Sequence, residues 1–224
     1  MIPTQEVREG AAVVTLTADL LLATSNEQKG NTGAALRRAC GDIKANAEIY
    51  IVQNVIAKKL SDCFEQARLT GATLSEFNYI RERIVAESVT SLTATLLKNG
   101  SICFSLQQMS TVIVGSAFSS RQDVDKIRTE VNAAFDQAEE VAADEMALSS
   151  YKALIGLHAA VTFHLYETAR PLPQMLSFKF AMPKPTLILS QRLYDTAARA
   201  DQLREENKVV HPAFAPREGK ALAF

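Results

Sequence analysis

The chain has 224 residues, 47% of them hydrophobic, and a formal net charge of -1 at pH 7. That is enough apolar sequence for the core of one or two domains, and the modest glycine and proline with no low-complexity tract exclude wholesale disorder. The near-neutral balance offers no basic domain or stripe of the kind nucleic-acid binders carry, and the three scattered cysteines (Cys40, Cys63, Cys103) exclude a paired-cysteine zinc site and suit buried thiols in a reducing compartment.

The N-terminus has no basic segment followed by an apolar core and a small-residue cleavage site. Its most apolar run, 11–23, is interrupted by Asp19 and is too short to span a bilayer. The expectation is a soluble subunit made in a cytoplasm, with no membrane contact.

Apolar residues then recur at helical spacing along nearly the whole chain. The first helix is expected from Glu6 to Ser25, with Val13, Leu16, Leu20 and Leu21 inward, and residues 26–33 (NEQKGNTG) read as a polar loop. A second helix is expected from Ala34 to Ala47 and a third from Ile49 to Leu69, ended by Gly71. Thr73-Leu74-Ser75-Glu76 has the pattern of a capping box, with Thr73 as N-cap. The helix it opens carries Phe77, Ile80 and Ile84 and runs towards Leu97, with a broken or frayed β-branched stretch at 88–95 and Asn99-Gly100 as its stop. The next, Ile102 to Phe118, has no charged residue, which predicts burial on most sides.

Ser119-Ser120 with Asp123 predicts another helix start, running to about Ala147 with Val124, Ile127, Val131, Phe135 and Ala138 on its buried line. Ala153 to Ala169 follows. The last quarter changes character. Residues 170–216 hold six of the seven prolines, which predicts an extended crossover at 171–185, with strand-like alternation only at 176–181. A long amphipathic helix is expected from Thr186 to Asn207 on the stripe Leu189, Leu193, Ala197, Ala200 and Leu203. The tail 209–224 is expected to be an extended arm, because its prolines keep it straight and it is too short for a core of its own. The fold class predicted is therefore all-α, a multi-helix bundle of seven or eight helices. Its domains are 1–208 (with a possible subdivision near 99–120) and the arm 209–224.

No catalytic constellation stands out. His158 and His164 lie six apart on one helix and face different ways, so they cannot chelate one ion together. Glu139-Glu140 and Asp144-Glu145 read as a solvated acidic face, with no Glu-x-x-His motif beside them. Gly30-Asn31-Thr32-Gly33 has neither the lysine nor the preceding strand of a phosphate loop. The basic doublets Arg37-Arg38 and Lys58-Lys59 lack interleaved aromatics and read as surface charge. No enzyme activity, cofactor or metal is expected.

Three blocks carry a resemblance. They are Phe118-Ser119-Ser120-Arg121-Gln122-Asp123-Val124-Asp125; Phe135-Asp136-Gln137-Ala138-Glu139-Glu140-Val141-Ala142-Ala143-Asp144; and Arg192-Leu193-Tyr194-Asp195, continuing through Arg199-Ala200-Asp201, Leu203 and Asn207 to His211-Pro212, Phe214 and Pro216. From Ser75 onward the chain resembles the C-terminal helical half of the phage Mu-type DNA circularisation protein N family. The β-rich N-terminal domain that family members carry has no counterpart here, so the chain looks like a stand-alone C-terminal half.

The resemblance implies a structural virion protein of contractile-tailed phages and Mu-like prophages. It would be a tail or baseplate hub-region subunit in several copies around the tail tube, made in the host bacterial cytoplasm. Its partners would be tube, hub and tape-measure proteins and further copies of itself in a ring. The alternative it implies is a DNA-binding protein that protects or circularises injected ends, which the absent basic stripe disfavours. The candidate interface residues are Arg192, Tyr194, Arg199, Asn207, His211, Pro212, Phe214 and Pro216.

Overall fold

The structure is a computed structural model that describes residues 4–24, 30–145 and 147–223. Most of it is helix, in an all-α, multi-helix architecture: among the described residues there are nine α-helices and one small two-stranded sheet. The chain divides into two compact units. Unit 1 comprises 1–116 with 130–164, and unit 2 comprises 117–129 with 165–224. One boundary falls within the expected 99–120 region, but the division is not a body of 1–208 with a separate arm.

Unit 1 holds α1 (Thr4–Ala23), α2 (Asn31–Val52), α3 (Ile56–Leu69), α4 (Leu74–Val85) and α5 (Leu92–Val114). It also takes in 130–144 of α6 (Arg121–Asp144) and 148–164 of α7 (Leu148–Ala169). Of the loop expected at 26–33, residues 26–29 lie outside the described residues, and 31–33 are not loop but the first turn of α2. The second and third helices meet later than expected. The turn lies at 53–55, where Asn54 takes the left-handed conformation (φ 56°) that asparagine tolerates better than most side chains.

α5 explains the uncharged stretch, because α1, α3 and α4 all pack against it. Its buried serines satisfy themselves by donating one turn back, Ser101 Oγ to Leu97 O (2.8 Å), Ser105 Oγ to Ser101 O (3.0 Å) and Ser110 Oγ to Leu106 O (2.7 Å). Asn99-Gly100 is not a stop but lies inside this helix. Packing on three sides outweighs the roughly 1 kcal/mol that glycine costs in a helix interior. The actual break comes earlier, at 86–91, where Ser91 caps α5 by accepting from Ala94 N (3.3 Å). The Thr73 capping box is complete: Thr73 N donates to Glu76 Oε2 (2.6 Å), and Glu76 N donates to Thr73 Oγ1 (3.4 Å). Gly71, at φ +85°, ends α3 in a conformation that would strain any side chain.

The 86–91 connection is tied to α1 by one carboxylate. Glu9 Oε1 accepts from Thr90 N (2.6 Å) and Glu9 Oε2 from Ser91 N (3.0 Å). Hydrogen bonds from Ser91 and Thr90 hold the Glu9 carboxyl below its ordinary value. A depressed folded-state pKa stabilises above the unfolded value, about 4.3 for glutamate, and that contribution is lost as pH falls through the folded value. The Tm of Glu9→Gln is therefore expected to lie below that of the parent at pH 6, with the gap narrowing as pH falls below about 4 and through the folded value. Equal Tm values at pH 6 would show that the tether contributes nothing.

Unit 2 is built round the expected extended crossover. β1 (Gln174–Lys179) pairs antiparallel with β2 (Glu218–Ala223), from Gln174 opposite Ala223 to Lys179 opposite Glu218. The tail is thus extended, as its prolines require, but it is a strand of its own unit rather than a free arm. The long helix expected from Thr186 to Asn207 is broken. α8 (Thr186–Tyr194) ends at Asp195, left-handed at φ 55°. A 3-10 turn (Ala197–Arg199) then leads into α9 (Ala200–Glu206). The break lets Leu189 from α8 and Leu203 from α9 converge on Phe178, Ala215 and Ala221 in one small core. A straight helix would hold those two leucines about 21 Å apart, at 1.5 Å per residue.

Candidate functional site

The first and last of the three sequence blocks meet in unit 2, around its sheet. At the start of α6, Asp123 Oδ2 accepts from Ser120 N (3.1 Å) and from the Ser119 and Ser120 hydroxyls (2.8 and 2.7 Å). Burial pushes its carboxyl up, but those hydrogen bonds and the Lys220 charge outweigh it and leave the pKa below its ordinary value. Arg121 holds the segment entering β1. Its Nε donates to Leu172 O (2.7 Å), its Nη2 to Arg170 O (3.1 Å) and its backbone N to Pro173 O (3.0 Å).

Two primary amides then close opposite edges of the sheet. On β1, Met175 N donates to Gln122 Oε1 (2.7 Å) and Gln122 Nε2 donates to Met175 O (3.1 Å). On β2, Lys220 N donates to Asn207 Oδ1 (2.7 Å) and Asn207 Nδ2 donates to Lys220 O (2.8 Å). Each side chain reproduces the donor–acceptor pair of one peptide unit, so at these registers neither edge can accept another strand.

The eight candidate interface residues divide. Tyr194, Arg199 and Asn207 are partly buried and work inside unit 2, whereas Arg192, His211, Pro212, Phe214 and Pro216 are exposed. The Arg199 guanidinium lies 4.0 Å from the Tyr194 ring centroid, and its Nε donates to Gln202 Oε1 (2.9 Å). Burial pushes the Tyr194 phenol above its ordinary pKa, with Arg199 and the Leu222 amide offsetting this only in part. Its hydroxyl oxygen completes no hydrogen bond of full geometry among the described residues. Tyr194 and Arg199 line an open concavity of about 480 Å³ with Leu176, Phe178, Leu193 and Leu222.

Four of the exposed members, His211, Pro212, Phe214 and Pro216, lie on or beside a segment that is tied to another. Thr186 N donates to Pro212 O (2.8 Å) and Ala215 N to Lys184 O (3.2 Å), which binds segment 209–215 to segment 182–188. Along these joined segments Val210 is fully exposed, Phe214 74% and Met182 64%, with Leu187 and Ile188 also outward. The His211 ring lies 5.5 Å from that of Phe214.

The middle block lies in unit 1 and brings together residues that sequence reading kept apart. His158 on α7 faces α6, with Nδ1 3.0 Å from Glu139 Oε1 and Nε2 3.0 Å from Asn132 Oδ1. The Phe135 ring stacks on the imidazole at 4.8 Å and 9°. Asp136 is close enough that ligand atoms of Asp136, Glu139 and His158 all lie within 4.8 Å of one another. The signal was present as Asn132, Phe135, Asp136 and Glu139 on one helical face, but nothing in the sequence said that His158 would meet it.

Unit 1 also contains an apolar cavity of about 470 Å³, with Val85, Leu96, Phe104, Val141 and Leu154 in its wall and Arg81 and Gln137 beside them. Arg81 Nη1 donates to Gln137 Oε1 (2.7 Å), and burial lowers the Arg81 pKa. Cys40 and Cys63 are buried and Cys103 partly so, all as free thiols. Among the described residues, no helix is long and apolar enough to cross a membrane. Compared with known proteins, the chain matches no family model and no curated protein.

Proposed function

We propose that the chain is a structural virion protein of a contractile phage tail, a hub-region subunit that assembles in several copies around the tail tube and binds neighbouring tail and baseplate proteins. The sequence blocks suggest the setting, and one observation carries the mode of action. Met182, Leu187, Ile188, Val210 and Phe214 stand outward on two segments that the backbone ties together. Several exposed apolar side chains of this size on two adjoining segments suit a surface that a partner covers. Covering Phe214 alone is worth roughly 1.5–3 kcal/mol per copy, and a closed ring repeats the contact at every interface. With two registers of the sheet edge already blocked, side-chain burial rather than strand addition makes the joint. The reading assigns the chain no catalysis and no cofactor.

Sedimentation of the full chain tests it. The parent is expected to associate with rising concentration, and Val210→Asp with Phe214→Asp to remain a folded monomer that no longer supports tail assembly. A parent that stays monomeric, and instead binds DNA with an affinity falling steeply as salt rises, would replace this reading with DNA-end binding.

A further inference from the structure

We propose that Asp136, Glu139 and His158 of unit 1 bind one divalent first-row transition-metal ion of the Zn²⁺ type, tying α6 to α7. Both ring nitrogens of His158 face oxygen acceptors at 3.0 Å, Glu139 Oε1 on Nδ1 and Asn132 Oδ1 on Nε2. A neutral imidazole carries only one N–H. In the tautomer with the proton on Nε2, that proton is given to Asn132 Oδ1, which Thr162 Oγ1 also approaches (3.4 Å), and Nδ1 presents its lone pair towards Glu139. A cation placed between Nδ1 and Glu139 Oε1 would then be held by both.

A second proton on the ring would satisfy Glu139 alone. An ion would also engage a second carboxylate, Asp136, which lies within 4.8 Å of both His158 and Glu139. Asp136 and Glu139 are three residues apart on α6 and so share one face, opposite His158 on α7. The ring is oriented in the way metal-binding histidines commonly are, its other N–H given to a carbonyl oxygen, and Phe135 lies flat against it at 4.8 Å. Donors around a tetrahedral ion stand roughly 3.4 Å apart, so a closure of about an ångström completes the site.

The donor set chooses the ion. Mg²⁺ and Ca²⁺ prefer all-oxygen shells, whereas one imidazole with two carboxylates suits Zn²⁺, Co²⁺, Mn²⁺ or Ni²⁺. Asp136 is exposed, so water fills the remaining positions.

The test uses the full chain, stripped with a chelator, then titrated with Zn²⁺ by calorimetry and with Co²⁺ by visible absorption. One equivalent is expected to bind reversibly and raise the Tm, with Co²⁺ giving ligand-field bands. Asp136→Asn sits at an exposed position, so the fold is retained, and it is expected to lose at least tenfold in affinity. His158→Ala is expected to abolish binding, and Asn132→Ala to weaken it by roughly 10–100-fold. His164→Ala and His211→Ala are expected to leave it unchanged. Absence of saturable binding by the stripped parent, or undiminished binding by Asp136→Asn, overturns the proposal and leaves a His158–Glu139 ion pair.

Discussion

Deletion of residues 209–224 is expected to unfold unit 2 while unit 1 stays folded. The deleted stretch supplies all of β2 and three buried side chains, Ala215, Ala221 and Leu222. Leu222 alone contributes roughly 1.5–3 kcal/mol by burial. Lost with it are the strand ladder, the Asn207–Lys220 amide pair and the bond from Phe180 N to Arg217 O (2.8 Å). A unit of roughly 70 residues has only about 4–10 kcal/mol of stability in all, so these losses are comparable with the whole. Hydrogen exchange would show it: amides of 174–179 and 186–206 lose protection, and those of α5 keep theirs. If 186–206 remain protected in the truncated chain, the tail is after all a detachable arm.

The second large effect is expected at Gly219. A Cβ added there would lie 2.7 Å from Phe178 Cζ and still closer to Asn207 Oδ1. Neither neighbour is free to move away. Phe178 belongs to the small core, and the Asn207 amide is held by Lys220 N, Lys220 O and Leu203 O. Overpacking of this kind costs about 1–3 kcal/mol, which in a unit this small amounts to a large fall in Tm for Gly219→Ala. Asn207→Ala removes one side of the clash. In Gly219→Ala with Asn207→Ala the two losses are therefore expected to fall short of additivity by about 1 kcal/mol. Strict additivity, measured by denaturant unfolding of the four proteins, would place the strain on Phe178 alone.

The two capped registers limit strand pairing at the sheet edges. A two-stranded sheet is all edge, and edges invite pairing with other chains. Gln122 and Asn207 prevent this at Met175 and Lys220 at the cost of two side-chain amides, while Val210 and Phe214 remain outward. Under the proposed function, that combination favours association through side-chain burial over strand pairing at those two registers.

The sequence by itself determined the all-α class, because apolar spacing near 3.6 persists through every long segment. It also determined the Thr73 capping box, the Ser120–Asp123 helix start and the extended character of the proline-bearing crossover at 171–185, all set by neighbours within four residues. Tertiary structure decided what depended on distant partners. Asn99-Gly100 reads locally as a stop, yet α1, α3 and α4 hold the helix through it. The stripe from Leu189 to Leu203 reads as one helix, yet burying both leucines in one core required a break at Asp195. The tail reads as an arm because its partner strand is distant: the register pairs Lys179 with Glu218 and Gln174 with Ala223, and the alternation at 176–181 does not say which segment answers it. His158 was read alone for the same reason: its partners Asn132, Phe135 and Glu139 lie on another helix, and the packing of α7 on α6 brought them together.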